Sequence, residues 1–148
     1  MNAPSTVWQG AGRRIHMQEV GLRDGLQMEK AFVPTADKIA LCNALSAAGL
    51  SKIEVTSFTS PTAIPALKDA EVVMREITRR PGTVYTALVP NLRGAERAIE
   101  SRTDELNLVM SVSPTHNLAN LRMTQEQSFA ALAQVVALAQ VVALAQGA

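Results

Sequence analysis

Glu19-Val20-Gly21-Leu22-Arg23-Asp24-Gly25-Leu26-Gln27-Met28-Glu29 decides how the rest of this chain is read. An apolar, strand-like run, Ile15 to Val20, leads into a tight turn bracketed by Gly21 and Gly25. The turn sets Arg23 beside Asp24. A guanidinium binds oxyanions and a carboxylate binds a hard metal cation, so the pair at a strand end suits polarisation of a carbonyl group.

Outward from this turn, further β-like runs rich in Val, Ile, Leu, Thr or Tyr occur at Lys52–Ser57, Val84–Val89 and Glu105–Val112. Helical patterns separate them. The first spans Thr35 to Leu50, with Thr35 as N-cap, Asp37 in the first turn, a stripe of Leu41, Leu45 and Ala48, and Gly49 as the stop. The second has Pro65 in its first turn and a stripe of Leu67, Ala70, Met74 and Ile77. The third, Leu92–Ser101, sets Leu92, Ala95 and Ile99 against Arg93, Glu96 and Arg97. Strands alternating with helices predict parallel pairing through helical crossovers. The polar strand ends, Gly21 to Asp24, Ser57 to Ser60 and Pro90-Asn91, are where both a (β/α)8 barrel and a doubly wound sheet place their chemistry. The pattern alone does not separate those folds.

Composition excludes several function classes. With 148 residues, 47% apolar and 18% charged, the chain is long enough for one globular domain with its own core. A net charge of +1 and 3% aromatic residues give no footprint for nucleic acid. Cys42 is the only cysteine, which rules out an intramolecular disulfide and a cysteine zinc cluster and is compatible with a cytoplasmic location. The apolar run Val135–Ala145, broken by Gln140, reads as too short for a bilayer, so no membrane partner is expected.

The C-terminal segment is irregular. Thr124 with Gln127 makes a capping box, and Phe129, Leu132 and Val136 begin a stripe. Ala-Leu-Ala-Gln-Val-Val then occurs twice, at Ala131–Val136 and Ala137–Val142, followed by a third Ala-Leu-Ala-Gln. A six-residue period advances about 600° along a helix, so Gln134, Gln140 and Gln146 point about 120° apart and break any single face. A tandem duplication accounts for this, and truncation soon after it is the expectation. The chain thus divides into a tail (1–13), a β/α region (14–130) and the repetitive C-terminus (131–148).

The signature around Arg23-Asp24-Gly25-Leu26-Gln27, together with Ile53-Glu54-Val55-Thr56-Ser57-Phe58, Val89-Pro90-Asn91-Leu92-Arg93-Gly94 and Ser111 to Asn117, resembles the hydroxymethylglutaryl-CoA lyases in the same order along the chain. The resemblance implies a (β/α)8 TIM barrel, of which this chain carries about the first four units. It also implies a metal-dependent retro-Claisen cleavage of 3-hydroxy-3-methylglutaryl-CoA to acetyl-CoA and acetoacetate. Carried over, Asp24 is a metal ligand for Mg2+ or Mn2+ and a helper in removing the C3 hydroxyl proton. Arg23 stabilises charge on the thioester oxygen, and Gln27 and Glu54 line or support the site, so that the catalytic set is Arg23, Asp24 and Glu54 and the substrate-binding set Arg23 and Gln27. Leu22, Met28 and Pro114 depart from the common pattern. The family's paired metal histidines, its asparagine ligand and its glycine-rich loop with a catalytic cysteine are not in this sequence. Cys42 is not that cysteine, His16 reads as a core or pore-facing histidine, and His116 reads as a loop residue. Met17, Met74 and Met110 read as packing residues. A related synthase joining acetyl-CoA to a 2-oxo acid is the alternative, although Leu26 favours the lyase; a non-catalytic relic is the other. A half barrel leaves two open edges, so homo-oligomerisation is also expected.

Overall fold

The structure, a computed structural model, describes residues 17–146. The expectations for the tail (1–13) and for Ile15 and His16 lie outside the described residues. The strands β1 (Lys52–Ser57), β2 (Val84–Val89) and β3 (Glu105–Leu108) form one parallel sheet in the order β1-β2-β3. Parallel neighbours need helical crossovers, and the intervening helices supply them. Glu54 of β1 pairs with Thr86 of β2 just before an irregularity between Glu54 and Thr56, and Val89 of β2 pairs with Leu108 of β3.

The outer expected strands are shorter than their sequence patterns. Before β1, the described residues make a single parallel bridge, Glu19 to Ile53. The ladder stops there because the Val20 carbonyl accepts the N–H groups of Arg23 and Asp24 and starts a helical turn. The last strand ends at Leu108 and not at Val112. Beyond it, the Asn117 side chain accepts the Ser111 N–H at 2.9 Å, and Ser113 caps α4 (Pro114–Leu121). Pro114 fits there because the first helical turn needs no N–H from it. His116 is therefore an exposed helical residue and not a loop residue.

The first helix, α1, runs Thr35–Ala47, and Gly49, at φ +90°, provides the expected stop three residues early. Pro34, not Thr35, is its N-cap; the Thr35 hydroxyl instead donates to Asp69 at 2.8 Å. Its buried face is Lys38, Cys42 and Ser46, and Leu41 of the expected stripe is 44% exposed. Lys38 explains the rotation. Its ammonium donates to Asp69 Oδ1 at 2.6 Å and to the Ala66 carbonyl at 2.7 Å and lies 4.3 Å from the centroid of the Phe32 ring. Cys42 and Ser46 follow on the same face one and two turns later.

The second helical pattern is split into a short turn, Pro65–Leu67, and α2 (Ala70–Glu76). Its stripe of Leu67, Ala70, Met74 and Ile77 is buried as expected, with Val73 beside it. Met17, by contrast, is exposed. The third helix, α3 (Leu92–Glu100), buries Gly94, Ala95 and Ala98, while Leu92 and Ile99 are half-buried. Asn91 caps it by accepting the Gly94 N–H at 3.0 Å. A Cβ on Gly94 would lie 2.8 Å from the Phe58 carbonyl oxygen, a backbone atom that cannot swing aside. Gly94→Ala is expected to lower stability by about 1–3 kcal/mol, measured by urea denaturation; an unchanged midpoint would contradict this close approach.

The last helix, α5, runs Gln125–Gln146 and packs against α3 and α4. Both capping-box bonds form: Thr124 N–H to Gln127 Oε1 at 2.8 Å and Gln127 N–H to Thr124 Oγ1 at 3.2 Å. The expected stripe is rotated. Ser128 and Val135 are buried, whereas Phe129 is 65% exposed, because Asn117 donates to Ser128 Oγ at 2.8 Å and holds that face inward. The repeat behaves as its period requires: Val135 is 1% exposed, and its equivalent one repeat later, Val141, is 66% exposed. The segment Gln125–Ala143, with mean hydropathy 1.3, is long and apolar enough by length and composition to cross a membrane, so the shortness inferred for its apolar run does not apply to the whole helix.

Candidate functional site

Gly21–Gly25 is a π-helical turn and not the tight turn read from the sequence. The Leu26 N–H reaches back to the Gly21 carbonyl, five residues earlier, as the π geometry demands. Leu22 points into the core at 1% exposure, which leaves Arg23 and Asp24 on the opposite side. Glu19 Oε1 accepts the Gly21 N–H at 2.6 Å, and a Cβ on Gly21 would lie 2.9 Å from that oxygen. The space above Gly25 is open.

The structure brings Arg23, Asp24 and Glu54 together. Arg23 Nε donates to Glu54 Oε2 at 3.0 Å, and its Nη1 to Asp24 Oδ1 at 2.8 Å. Glu54 is 3% exposed, and its other oxygen accepts from Asn107 Nδ2 at 2.9 Å. Asn107 also donates to Thr86 Oγ1 at 3.2 Å, as does Gln18 Nε2 at 3.3 Å. A buried carboxylate needs paired and hydrogen-bonded surroundings, and here each oxygen has one donor. Gln18, Glu54, Thr86 and Asn107 thus form a polar layer contributed by the Glu19 bridge segment, β1, β2 and β3 in turn.

Glu54 fixes the guanidinium from below and Asp24 from the side. Among the described residues, Arg23 Nη2 has no protein acceptor and remains free to donate to an oxyanion. Asp24 is 62% exposed at its side chain. Its Oδ2 accepts no hydrogen bond among the described residues, so it can serve as one ligand of a hard cation. The described residues contain no group of three His, Cys, Asp or Glu side chains able to hold a metal ion. They fit one ligand position of a divalent cation and not a whole site.

Gln27 is not part of this cluster; it lines a neighbouring cleft of about 400 Å³ with Phe32, Ile64 and Lys68. Burial pushes the Cys42 thiol up to about 11, only partly countered by Arg79, so it is no nucleophile at neutral pH. The sequence reading missed Gln18, Thr86 and Asn107. A signal for two of them existed. Asn107 lies between Leu106 and Leu108, and Thr86 between Tyr85 and Ala87, the same alternation that places Glu54 opposite Ile53 and Val55.

The sequence profile of the HMGL-like family matches residues 14–145. The hydroxymethylglutaryl-CoA lyase of Bacillus subtilis is 47% identical over 123 residues, which are 83% of this chain and 41% of that protein. The mitochondrial enzyme of Mus musculus is 39% identical over 137 residues, 92% of this chain and 42% of its own length. The crystal structure of the B. subtilis lyase superposes with a TM-score of 0.85 at 46% identity, covering 87% of this chain and 43% of that one. An Acinetobacter baumannii HMG-CoA lyase, solved in complex with coenzyme A and 3-methylmalate, gives 0.81 at 55% identity over 83% of this chain and 40% of its own. The chain spans about two fifths of the length of these relatives, and its parallel β/α units are part of a TIM-barrel fold. By profile, sequence and fold, the chain belongs to the HMGL-like family.

Proposed function

We propose that this chain supplies one side of a hydroxymethylglutaryl-CoA lyase site, and that its role is to hold the CoA thioester of 3-hydroxy-3-methylglutarate while the bond between C2 and C3 breaks. The observation that carries this reading is the Arg23 guanidinium, fixed by Glu54 and Asp24 with Nη2 left to donate. In the cleavage the C3 hydroxyl loses its proton, the C2–C3 electron pair moves into the acetyl-CoA enolate, and acetoacetate departs. Arg23 Nη2 donates to the thioester oxygen as charge gathers there, the kind of preorganised contact that contributes most to such reactions. Asp24 Oδ2 stands at the exposed rim, available to the C3 hydroxyl proton. Asp24 would also hold one position of a divalent cation, Mg2+ or Mn2+, which when bound acidifies the substrate hydroxyl. Glu54 acts through Arg23 and is a positioning residue.

The coenzyme A bound by the A. baumannii relative supports a CoA thioester as the ligand. Neither nucleic acid nor a membrane belongs to this reading: the net charge is +1, and α5 lies within the matched family region and packs on α3 and α4. The cytoplasm is the compartment it favours, given bacterial and cytoplasmic relatives and a sole, buried cysteine.

Isothermal titration of the chain with 3-hydroxy-3-methylglutaryl-CoA and Mn2+ tests the reading. Saturable binding is expected, weakened at least about tenfold by Arg23→Gln through loss of a charge-assisted hydrogen bond. No binding, or equal binding by the variant, would reduce the turn to a relic. Preference for acetyl-CoA with a 2-oxo acid would favour the synthase.

A further inference from the structure

We infer that Asn107 sets the orientation of the Arg23 guanidinium through Glu54, which makes it a further positioning residue of the site. The inference rests on the proposed reading for what Arg23 meets, and on the polar layer for how Arg23 is held. Thr86 stands level with Glu54 across the β1–β2 ladder, whereas Asn107 stands level with Leu88, two residues nearer the C-terminal strand ends. β1 and β3 lie two strand spacings apart, about 9–10 Å. Asn107 nevertheless reaches Glu54, because the side chain between them on β2 is the short Thr86. Its amide is pinned at both hydrogens: Nδ2 donates to Glu54 Oε1 at 2.9 Å and to Thr86 Oγ1 at 3.2 Å. Thr86 Oγ1 is fixed in turn, accepting from Gln18 Nε2 at 3.3 Å and donating to the Ile53 carbonyl at 3.4 Å.

Each Glu54 oxygen has a single donor among the described residues, Asn107 on Oε1 and Arg23 Nε on Oε2. Donors on opposite oxygens define the carboxylate plane, and that plane defines the direction in which the Arg23 Nε–H points. Asp24 does not replace this restraint, because its side chain is 62% exposed and holds only Nη1 at the rim. Fold stability does not account for the layer, since apolar residues of similar volume often replace a buried ionic network without loss. Strand formation does not account for it either, because asparagine is depleted in strands. What the layer supplies is a fixed donor direction, which a preorganised contact to developing charge requires.

Heteronuclear NMR of the nitrogen-labelled full chain reads the Arg23 Nε–H directly, its signal identified by loss in Arg23→Lys. Slowed solvent exchange is expected in the wild type. Asn107→Leu, close in volume but without a donor, should accelerate that exchange at least about tenfold, and should add nothing in a Glu54→Ala background. Asn107→Ala, at a half-buried position, repeats the measurement where the leucine variant does not fold. Leu106→Ala, on the opposite face of β3 and packed against the core, should lower the thermal midpoint and leave Arg23 Nε–H exchange unchanged. Titration with 3-hydroxy-3-methylglutaryl-CoA and Mn2+ should show binding at least about threefold weaker in Asn107→Leu, as expected within one hydrogen-bond network. Exchange indifferent to Asn107, exchange already as fast in the wild type, acceleration undiminished in the Glu54→Ala background, or an affinity unmoved by Asn107→Leu would overturn the inference. Accelerated exchange in the variant with no binding by the wild type would sustain the positioning and count against the lyase reading.

Discussion

Lys38→Ala is expected to destabilise the fold by about 3–5 kcal/mol, the usual cost of removing one partner of a buried ion pair. Lys38 is 3% exposed, and its ammonium is held by Asp69, the Ala66 carbonyl and the face of Phe32. Without it, Asp69, 10% exposed at its side chain, keeps among the described residues only the Thr35 hydroxyl as a side-chain donor. The contact also ties α1 to the segment between β1 and α2. Chemical denaturation of the wild type and Lys38→Ala gives the number. A double replacement, Lys38→Met with Asp69→Leu, should recover much of the loss, because both charges then leave the interior together. A loss under about 1 kcal/mol for the single variant would show that the pair behaves as a surface bridge.

The same lysine shows where sequence reading was sufficient and where it was not. β1, β2 and the α2 stripe were legible because their residues obey a single period: Ile53 and Val55 alternate with Glu54 and Thr56, and Leu67, Ala70, Met74 and Ile77 recur at helical spacing. The face of α1 was not legible. A lysine is counted as exposed in any pattern of apolar residues, and only tertiary structure reveals that Asp69 draws it inward. The stripe on α5 was misplaced for a similar reason, since Ser128 is buried by its bond to Asn117 and not by its own hydrophobicity. Part of the site was legible. Arg23, Asp24 and Glu54 meet through hydrogen bonds, as their family resemblance implied they would stand near one another. The π-helical character of the turn was hidden, because two glycines around a polar pair signal a turn without specifying which carbonyl the Leu26 N–H will find. Asn107 and Thr86 were visible as polar breaks in apolar strands, but their partnership with Glu54 depends on the stagger of three strands.

The second large effect concerns turnover. On its own, the 148-residue chain is expected to cleave 3-hydroxy-3-methylglutaryl-CoA at least about a thousandfold more slowly than the B. subtilis lyase, equivalent to about 4 kcal/mol of lost transition-state stabilisation. Glu54 and Asp24 hold the Arg23 guanidinium in place, and in the proposed reading it would meet the developing thioester charge, which is one contribution. They give a divalent cation a single carboxylate and no set of three ligating side chains, so the acidification of the C3 hydroxyl has no secure source. The central claim is that this cluster is a real but partial lyase site. Acetoacetate release by the purified chain at saturating Mn2+, compared with the B. subtilis enzyme under identical conditions, tests it most directly. A rate at or below about one thousandth of that enzyme's is predicted, and a rate within about tenfold of it would show that the described cluster suffices and would contradict the account.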